Sequence, residues 1–193
     1  MMWRKAGFVL AIAVLLAGCV QYQLAGAGDP IAMGDAFVLK PQSAWSRIDH
    51  GRVEMWTVDG PLLDQVLVYK GLTDGQDLLP PQPVGEEKKD LPTFQKAMTA
   101  LEVRDLVEAT FARADQVDIE TSDMKPWKFA DTDGFRFEYS FTNKSGLRKR
   151  GFAVGTIYKE KLYLIVYAAA ELYYFDKYAG ELEKVVSSIQ RKT

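Results

Sequence analysis

Cysteine has the most chemistry to offer in this chain, and there is one, Cys19, set directly behind Leu16-Ala17-Gly18. Its thiol is a sulfur nucleophile once deprotonated, and the small residues Ala17 and Gly18 let a peptidase bring its own backbone close. The arrangement suits cleavage that leaves Cys19 as a new N-terminus. No second cysteine exists to form an intramolecular disulfide with it. The one histidine, His50, precedes Gly51 in an expected turn, and no Gly-x-Ser-x-Gly elbow accompanies it, so a Ser-His-Asp hydrolase has no support. With Cys19 committed, no cluster of His and Cys remains for zinc. Asp131-Thr132-Asp133-Gly134 looks like part of a calcium loop. Placing Gly134 on the loop glycine, however, puts Phe129 on the first ligand and Ser140 on the final glutamate, so the match fails. Asp59 and Asp64, around Gly60-Pro61, could pair two carboxylates, although aspartate before glycine is chiefly turn chemistry.

Binding residues are sought among cations and aromatics. Arg148-Lys149-Arg150, with Lys144 nearby and Lys159 and Lys161 at the next turn, makes the local basic concentration. If the hairpins come together, the patch could meet anionic lipid headgroups or an acidic partner; otherwise it is a charged hairpin edge that resists edge-to-edge pairing. Trp45, Trp56 and Trp127 could line a ligand groove, but large aromatics in a small domain are usually core. The candidate binding residues are thus Arg148, Lys149, Arg150 and Trp56. No catalytic residue, metal or cofactor is expected, and nothing suggests nucleic acid.

The element that presents Cys19 is short. Arg4 and Lys5 precede an apolar run over residues 6–16, eleven positions, within the ~7–15 of a signal-peptide core and short of the ~20 that span a bilayer. Residues 1–18 read as an export signal that is removed. This pattern resembles the lipobox of bacterial lipoproteins, residue for residue. The resemblance implies a thioether-linked diacylglycerol on Cys19, cleavage after Gly18 and acylation of the freed amine. At roughly 0.8 kcal/mol per buried CH₂, two or three fatty (palmitate-type) chains anchor durably where one would not. The alternative is an ordinary secretory signal with Cys19 incidental. In Gram-negative lipoproteins, Asp after the cysteine often favours retention in the inner membrane; here Val20 stands there, so the implied location is the periplasmic face of the outer membrane.

Loss of residues 1–18 removes Arg4 and Lys5 and no acid, leaving 22 basic against 26 acidic residues, a net charge of −4. The rest is long enough for one domain with a sizeable core, and 12% aromatic content makes that core aromatic-rich. Residues 19–35, rich in Gly, Ala and Gln, read as a lipidated N-terminus and flexible tether, with a single domain over 36–193. Apolar stretches at 36–39, 44–48, 53–58 and 62–71, punctuated by His50-Gly51, Asp59-Gly60 and Asp74-Gly75, predict a β-meander. Residues 73–92 form a polar, Pro-rich loop with the charged run Glu86-Glu87-Lys88-Lys89-Asp90. It is read as a solvated excursion, with a binding flap over a pocket as the alternative. Thr99 and Glu102 form a capping box, and Val103, Leu106, Val107, Thr110, Phe111 and Ala114 follow at helical spacing. Strands are predicted at 117–124, 127–130, 134–142, 147–158 and 162–170. The last is apolar on both faces, so both sheet faces must be covered. A helix over 171–190, with the stripe Leu172, Phe175, Ala179, Leu182, Val185, Val186 and Ile189, covers one of them.

The fold class is therefore α+β, an antiparallel sheet flanked by helices. The order of elements, with the run Glu54-Met55-Trp56-Thr57-Val58-Asp59-Gly60-Pro61-Leu62, Trp45, and Tyr173-Tyr174-Phe175-Asp176, resembles Gram-negative lipoproteins with a PsbP-like/Mog-like α/β/α sandwich domain. Members of that superfamily assemble photosystems, bind a small GTPase or chaperone secreted effectors, and no shared catalytic motif carries over. The expectation is a non-catalytic, membrane-anchored protein-binding module or envelope assembly and stability factor. The alternative is a small-molecule or lipid binder with a pocket under the 73–92 loop.

Overall fold

Strand Lys161–Ala170, buried on both faces at every position after Lys161, determines the architecture. Leu162, Leu164, Val166 and Ala168 enter one hydrophobic cluster, while Tyr163, Ile165, Tyr167 and Ala169 enter another on the opposite face. A strand buried on both sides needs a layer on each. The structure, a computed structural model, describes residues 22–79 and 91–192. In chain order it contains β1 (Gln23–Ala25), β2 (Ile31–Met33), β3 (Phe37–Leu39), β4 (Trp45–Asp49), β5 (Val53–Thr57), β6 (Asp64–Leu72), α1 (Ala100–Arg113), β7 (Val117–Phe129), β8 (Thr132–Thr142), β9 (Arg148–Tyr158), β10 (Lys161–Ala170), α2 (Tyr174–Ser187) and β11 (Gln190–Arg191).

Eight strands form one antiparallel sheet in the order β1-β4-β5-β6-β10-β9-β8-β7, and β11-β3-β2 form a smaller one. Helix α1 buries Val103, Leu106 and Val107 against the face that carries Phe135, Phe137, Tyr139 and Phe141 of β8. The alternating aromatic stripe is thus core. Its N-terminus is the expected capping box: Thr99 Oγ1 accepts from the Glu102 N–H at 3.3 Å, and Glu102 Oε2 accepts from the Thr99 N–H at 2.7 Å. Helix α2 buries Phe175, Tyr178, Leu182, Val185 and Val186 on the other face. The small sheet covers the rest of that face through Phe37, whose ring meets Phe129 at 5.1 Å and Tyr163 at 4.9 Å, both edge to face.

Several expectations are corrected. Residues 23–33 are part of the fold and not a tether: Ala25 is 2% exposed, Ile31 5% and Met33 0%, and β1 pairs with β4 in register Gln23↔Arg47. Three-residue strands are too short to produce a legible period, so the Gly and Ala content of this segment predicts a tether where the fold has strands. Gly34 belongs here for a steric reason. Its φ is +66°, and a Cβ would lie 2.2 Å from the Lys70 carbonyl oxygen. The first half is a meander only over β4-β5-β6, because β3 leaves for the small sheet. The two strands predicted between 117 and 130 are one edge strand, β7, interrupted by register shifts beside Asp118 and Asp123, both at positive φ. Such bulges, with Pro126, blunt an exposed edge against pairing with another chain. Helix α2 begins later than 171, and Leu172, assigned above to its buried stripe, is 88% exposed.

Candidate functional site

The meander turns its connections to opposite ends of the sheet, and this separates the basic residues. Lys144 sits at the β8–β9 turn, whereas Lys159 and Lys161 sit at the β9–β10 turn, with the eleven residues of β9 between them. Alternation along β9 splits the triplet as well. Arg148 reaches Glu120 at 3.1 Å and Glu171 at 3.6 Å. The Arg150 guanidinium lies 4.5 Å from the Phe175 ring centroid and pairs with Glu138. Lys149, 5% exposed, points to the other face and donates to the Pro61 carbonyl at 3.0 Å. Burial pulls its pKa down, and the Asp64 charge opposes that shift. The three residues do not form one patch. Trp56 is fully buried and donates from Nε1 to Glu54 Oε2 at 3.0 Å; Trp45 is buried beside it. Neither lines a groove. Trp127 is half-buried, under the Arg136 guanidinium. Gly18 and Cys19 lie outside the described residues, as does the centre of the 73–92 loop.

Each aspartate that could do chemistry has a structural partner. Asp64 is fully buried, and its carboxylate accepts from Val58 N at 2.8 Å, Asp59 N at 2.7 Å and Thr57 Oγ1 at 3.2 Å. It holds the β5–β6 loop, residues 58–63, in shape. Asp59 turns away from Asp64 to α2, where Oδ2 accepts from Lys177 Nζ at 2.7 Å and the Tyr178 hydroxyl at 2.5 Å. Those two bonds hold the Asp59 carboxyl below its usual range. The two carboxylates are therefore not a catalytic pair. Asp131 pairs with Arg191 at 2.7 Å and Asp133 with Lys128 at 2.5 Å across the β7–β8 hairpin. Among the described residues, no three His, Cys, Asp or Glu side chains gather to hold a metal ion. His50 sits in the β4–β5 turn, its backbone N–H bonded to the Val53 carbonyl at 2.9 Å.

A crevice of about 210 Å³ lies at the β9–β10 turn, between Asp35, Tyr158, Lys161, Tyr163 and Arg191. Asp35 accepts from Lys161 Nζ at 2.6 Å and from the Tyr163 hydroxyl. Lys161, then Tyr163, hold the Asp35 carboxyl down at about 2. Burial, then Asp35, push the Tyr163 phenol up. Neither group exchanges a proton near neutrality, so this trio braces the β2–β3 connection and is not an acid–base pair. Sequence reading missed the Asp35-Lys161-Tyr163 contact because 126 positions separate Asp35 from Lys161 and no local period connects them.

Comparison with protein families and with curated protein sequences finds no match for the chain. Its class rests on its own architecture, an α+β sandwich built on an antiparallel sheet with a helix on each face. No described helix is long and apolar enough to cross a membrane.

Proposed function

We propose that this chain is a lipoprotein fixed at Cys19 to the periplasmic face of the bacterial envelope, in the outer membrane given Val20, and that its sandwich is a non-catalytic module that binds an envelope protein. The observation that carries the reading is Leu16-Ala17-Gly18-Cys19, with its single cysteine, behind a short apolar run. The start of the fold supports close tethering. Cys19 stands four residues before Gln23 of β1, a reach of no more than about 14 Å of extended chain. A domain held this near a bilayer searches its neighbours in two dimensions at high effective concentration, which suits an assembly or stability factor. The same reading assigns the fold to the PsbP-like/Mog-like sandwiches, on the order of its elements.

Metabolic labelling with a radioactive fatty acid tests the anchor. The wild-type chain is expected to carry label, and Cys19→Ala to lose it and accumulate as precursor; label that persists in Cys19→Ala refutes the assignment. In-cell crosslinking of the lipidated protein tests the binding reading. A defined envelope protein is expected among the products, and copurification of small molecules alone would sink it.

A further inference from the structure

We propose that Leu62, Leu172 and Tyr173 form a rigid, protruding docking surface for a folded protein partner that offers an apolar groove. This deepens the binding-module reading and rests on it. Leu62 is 71% exposed, Leu172 88% and Tyr173 67%, and Val58 beside them is 42% exposed. They come from two connections at one end of the sheet, the β5–β6 loop and the segment between β10 and α2. Asp64 is opposite Ala169 in the register, and the Ala170 N–H donates to the Leu63 carbonyl at 2.8 Å, which sets the two connections side by side. Lys177 ties them again: its Nζ lies 2.7 Å from Asp59 and 5.5 Å from the Tyr173 ring centroid.

The backbone at this surface departs from what folding alone would select. Tyr173 has φ 78° and ψ −54°, and the Tyr174 N–H donates to the Leu172 carbonyl at 3.1 Å. That is a γ-turn of the rare positive-φ kind, strained for any residue with a Cβ. Tyr173 also occupies the N-cap of α2 without a side-chain cap, where Ser, Thr or Asp would be worth about 1 kcal/mol. Three departures coincide in two residues: exposed leucine, strained tyrosine and an uncapped helix. Coincident departures of this kind mark a site kept for something other than stability.

The rest of the loop is held firmly. Asp64 clamps residues 57–59 from within, and Lys149 donates to Pro61 from beneath. The apolar side chains are thus presented on an ordered frame, which reduces the entropy lost on binding.

Charge and shape identify the occupant. Around the leucines stand Asp59, Glu171 and Asp176 against Arg148 and Lys177, mostly in ion pairs. A mixed rim around an apolar, tyrosine-bearing centre matches protein interfaces, whereas an anionic bilayer surface selects an excess of cations. The chain's approach to the anchor agrees. Going from Ala25 back to Gln23, β1 runs toward the His50 turn, away from this end. A second copy fits less well, because the crevice at the opposite end is lined by Asp35, Lys159, Lys161, Arg191 and Lys192, charged side chains that an entering leucine would desolvate.

A photo-crosslinking amino acid at position 62, 172 or, as a control at the opposite end, 159, in the full chain made in cells, tests this. Positions 62 and 172 are expected to give one common protein adduct, joined through an apolar stretch of the partner, and position 159 none. Leu62→Ser should abolish the adduct from 172, and should weaken binding of the purified pair by roughly 30-fold while the melting temperature of this exposed-site variant stays unchanged. Adducts to lipid alone, or to a second copy of this chain, overturn the proposal. The common adduct appearing from 159 and from neither leucine overturns this surface and leaves the binding module standing; adducts from no position overturn both.

Discussion

Removing the Asp64 carboxylate should loosen the β5–β6 loop and cost the domain several kilocalories. The side chain is fully buried and accepts from two backbone N–H groups, at 2.8 and 2.7 Å, and from Thr57 Oγ1 at 3.2 Å. Hydrogen bonds to a charged group are worth roughly 1.5–3 kcal/mol each, and an orphaned buried donor costs about 1–3 kcal/mol. Thr57 keeps a second acceptor, the Asp64 carbonyl at 2.7 Å, and water reaches the part-buried Val58 and Asp59 N–H groups. The net cost of Asp64→Ala is then about 3–5 kcal/mol. Lys149 also loses the charge that opposes its desolvation, which keeps the value toward the upper end. For a domain of this size about 1 kcal/mol moves the melting temperature by roughly 2–4 °C, so circular dichroism should record a fall of about 6–20 °C. Asp64→Asn retains one acceptor oxygen and should lose about half as much. Asp59→Asn, whose carboxylate is a third exposed and paired with Lys177, should cost clearly less than Asp64→Ala, because solvent screens the pair. If Asp64→Ala costs under about 1 kcal/mol, or no more than Asp59→Asn, the carboxylate does not hold the loop.

The β9–β10 turn places Lys159 at φ 50° and Glu160 at φ 62°, a two-residue connection that favours Asn-Gly; K159N with E160G should stabilise by about 1–2 kcal/mol in urea titration, and no gain would mean the turn is unstrained. Arg136, 7% exposed, grips Glu183 at 3.0 and 2.6 Å and lies 4.0 Å from the Phe152 ring centroid. Arg136→Lys loses the planar fork and should cost about 1–2 kcal/mol; an unchanged melting curve would refute that. Asp35 has its folded pKa lowered to about 2 by Lys161 and Tyr163, so its contribution is full above the unfolded value near 3.8 and is lost as pH falls toward 2. Because Asp35 is exposed, that contribution is about 1 kcal/mol or less. Asp35→Asn should flatten the stability profile between pH 4 and pH 2 by that amount, and a profile identical to wild type would count against the Lys161 and Tyr163 contacts.

Where periodicity runs long, structure was legible. The alternation Phe135, Phe137, Tyr139, Phe141 and the double-sided apolarity of 162–170 sufficed to place a helix on each face, and Thr99 with Glu102 located the start of α1. Legibility failed where the deciding contact is distant or the element is short. Residues 23–33 join the fold through three-residue strands, too few to show a period of two. Leu172 stands three positions before Phe175, the spacing of a helical stripe, yet the turn at Tyr173 rotates it into solvent, and no residue preference announces a γ-turn at tyrosine. Arg148, Lys149 and Arg150 looked like a patch because they are consecutive. A strand's period of two sends the middle one to the opposite face, and a meander sends successive turns to opposite ends, so both features follow from the strands themselves.

The distribution of charge leaves recognition to apolar groups. With 24 basic and 26 acidic residues the chain is not poor in charge, yet the groups that seemed free to act are engaged. Asp64 and Lys149 support one loop, Asp59 joins that loop to α2, and Asp35 ties the β2–β3 connection to β10. An ion pair or internal hydrogen bond of this kind makes a poor starting point for recognition, since a partner must first displace it. Exposed leucine carries no such cost, and desolvating it is favourable by about 25 cal/mol per Å². The loop that Asp64 and Lys149 support is the one that lifts Leu62 into solvent, so the buried charges and the exposed leucines belong to a single device in which the first hold the second in place.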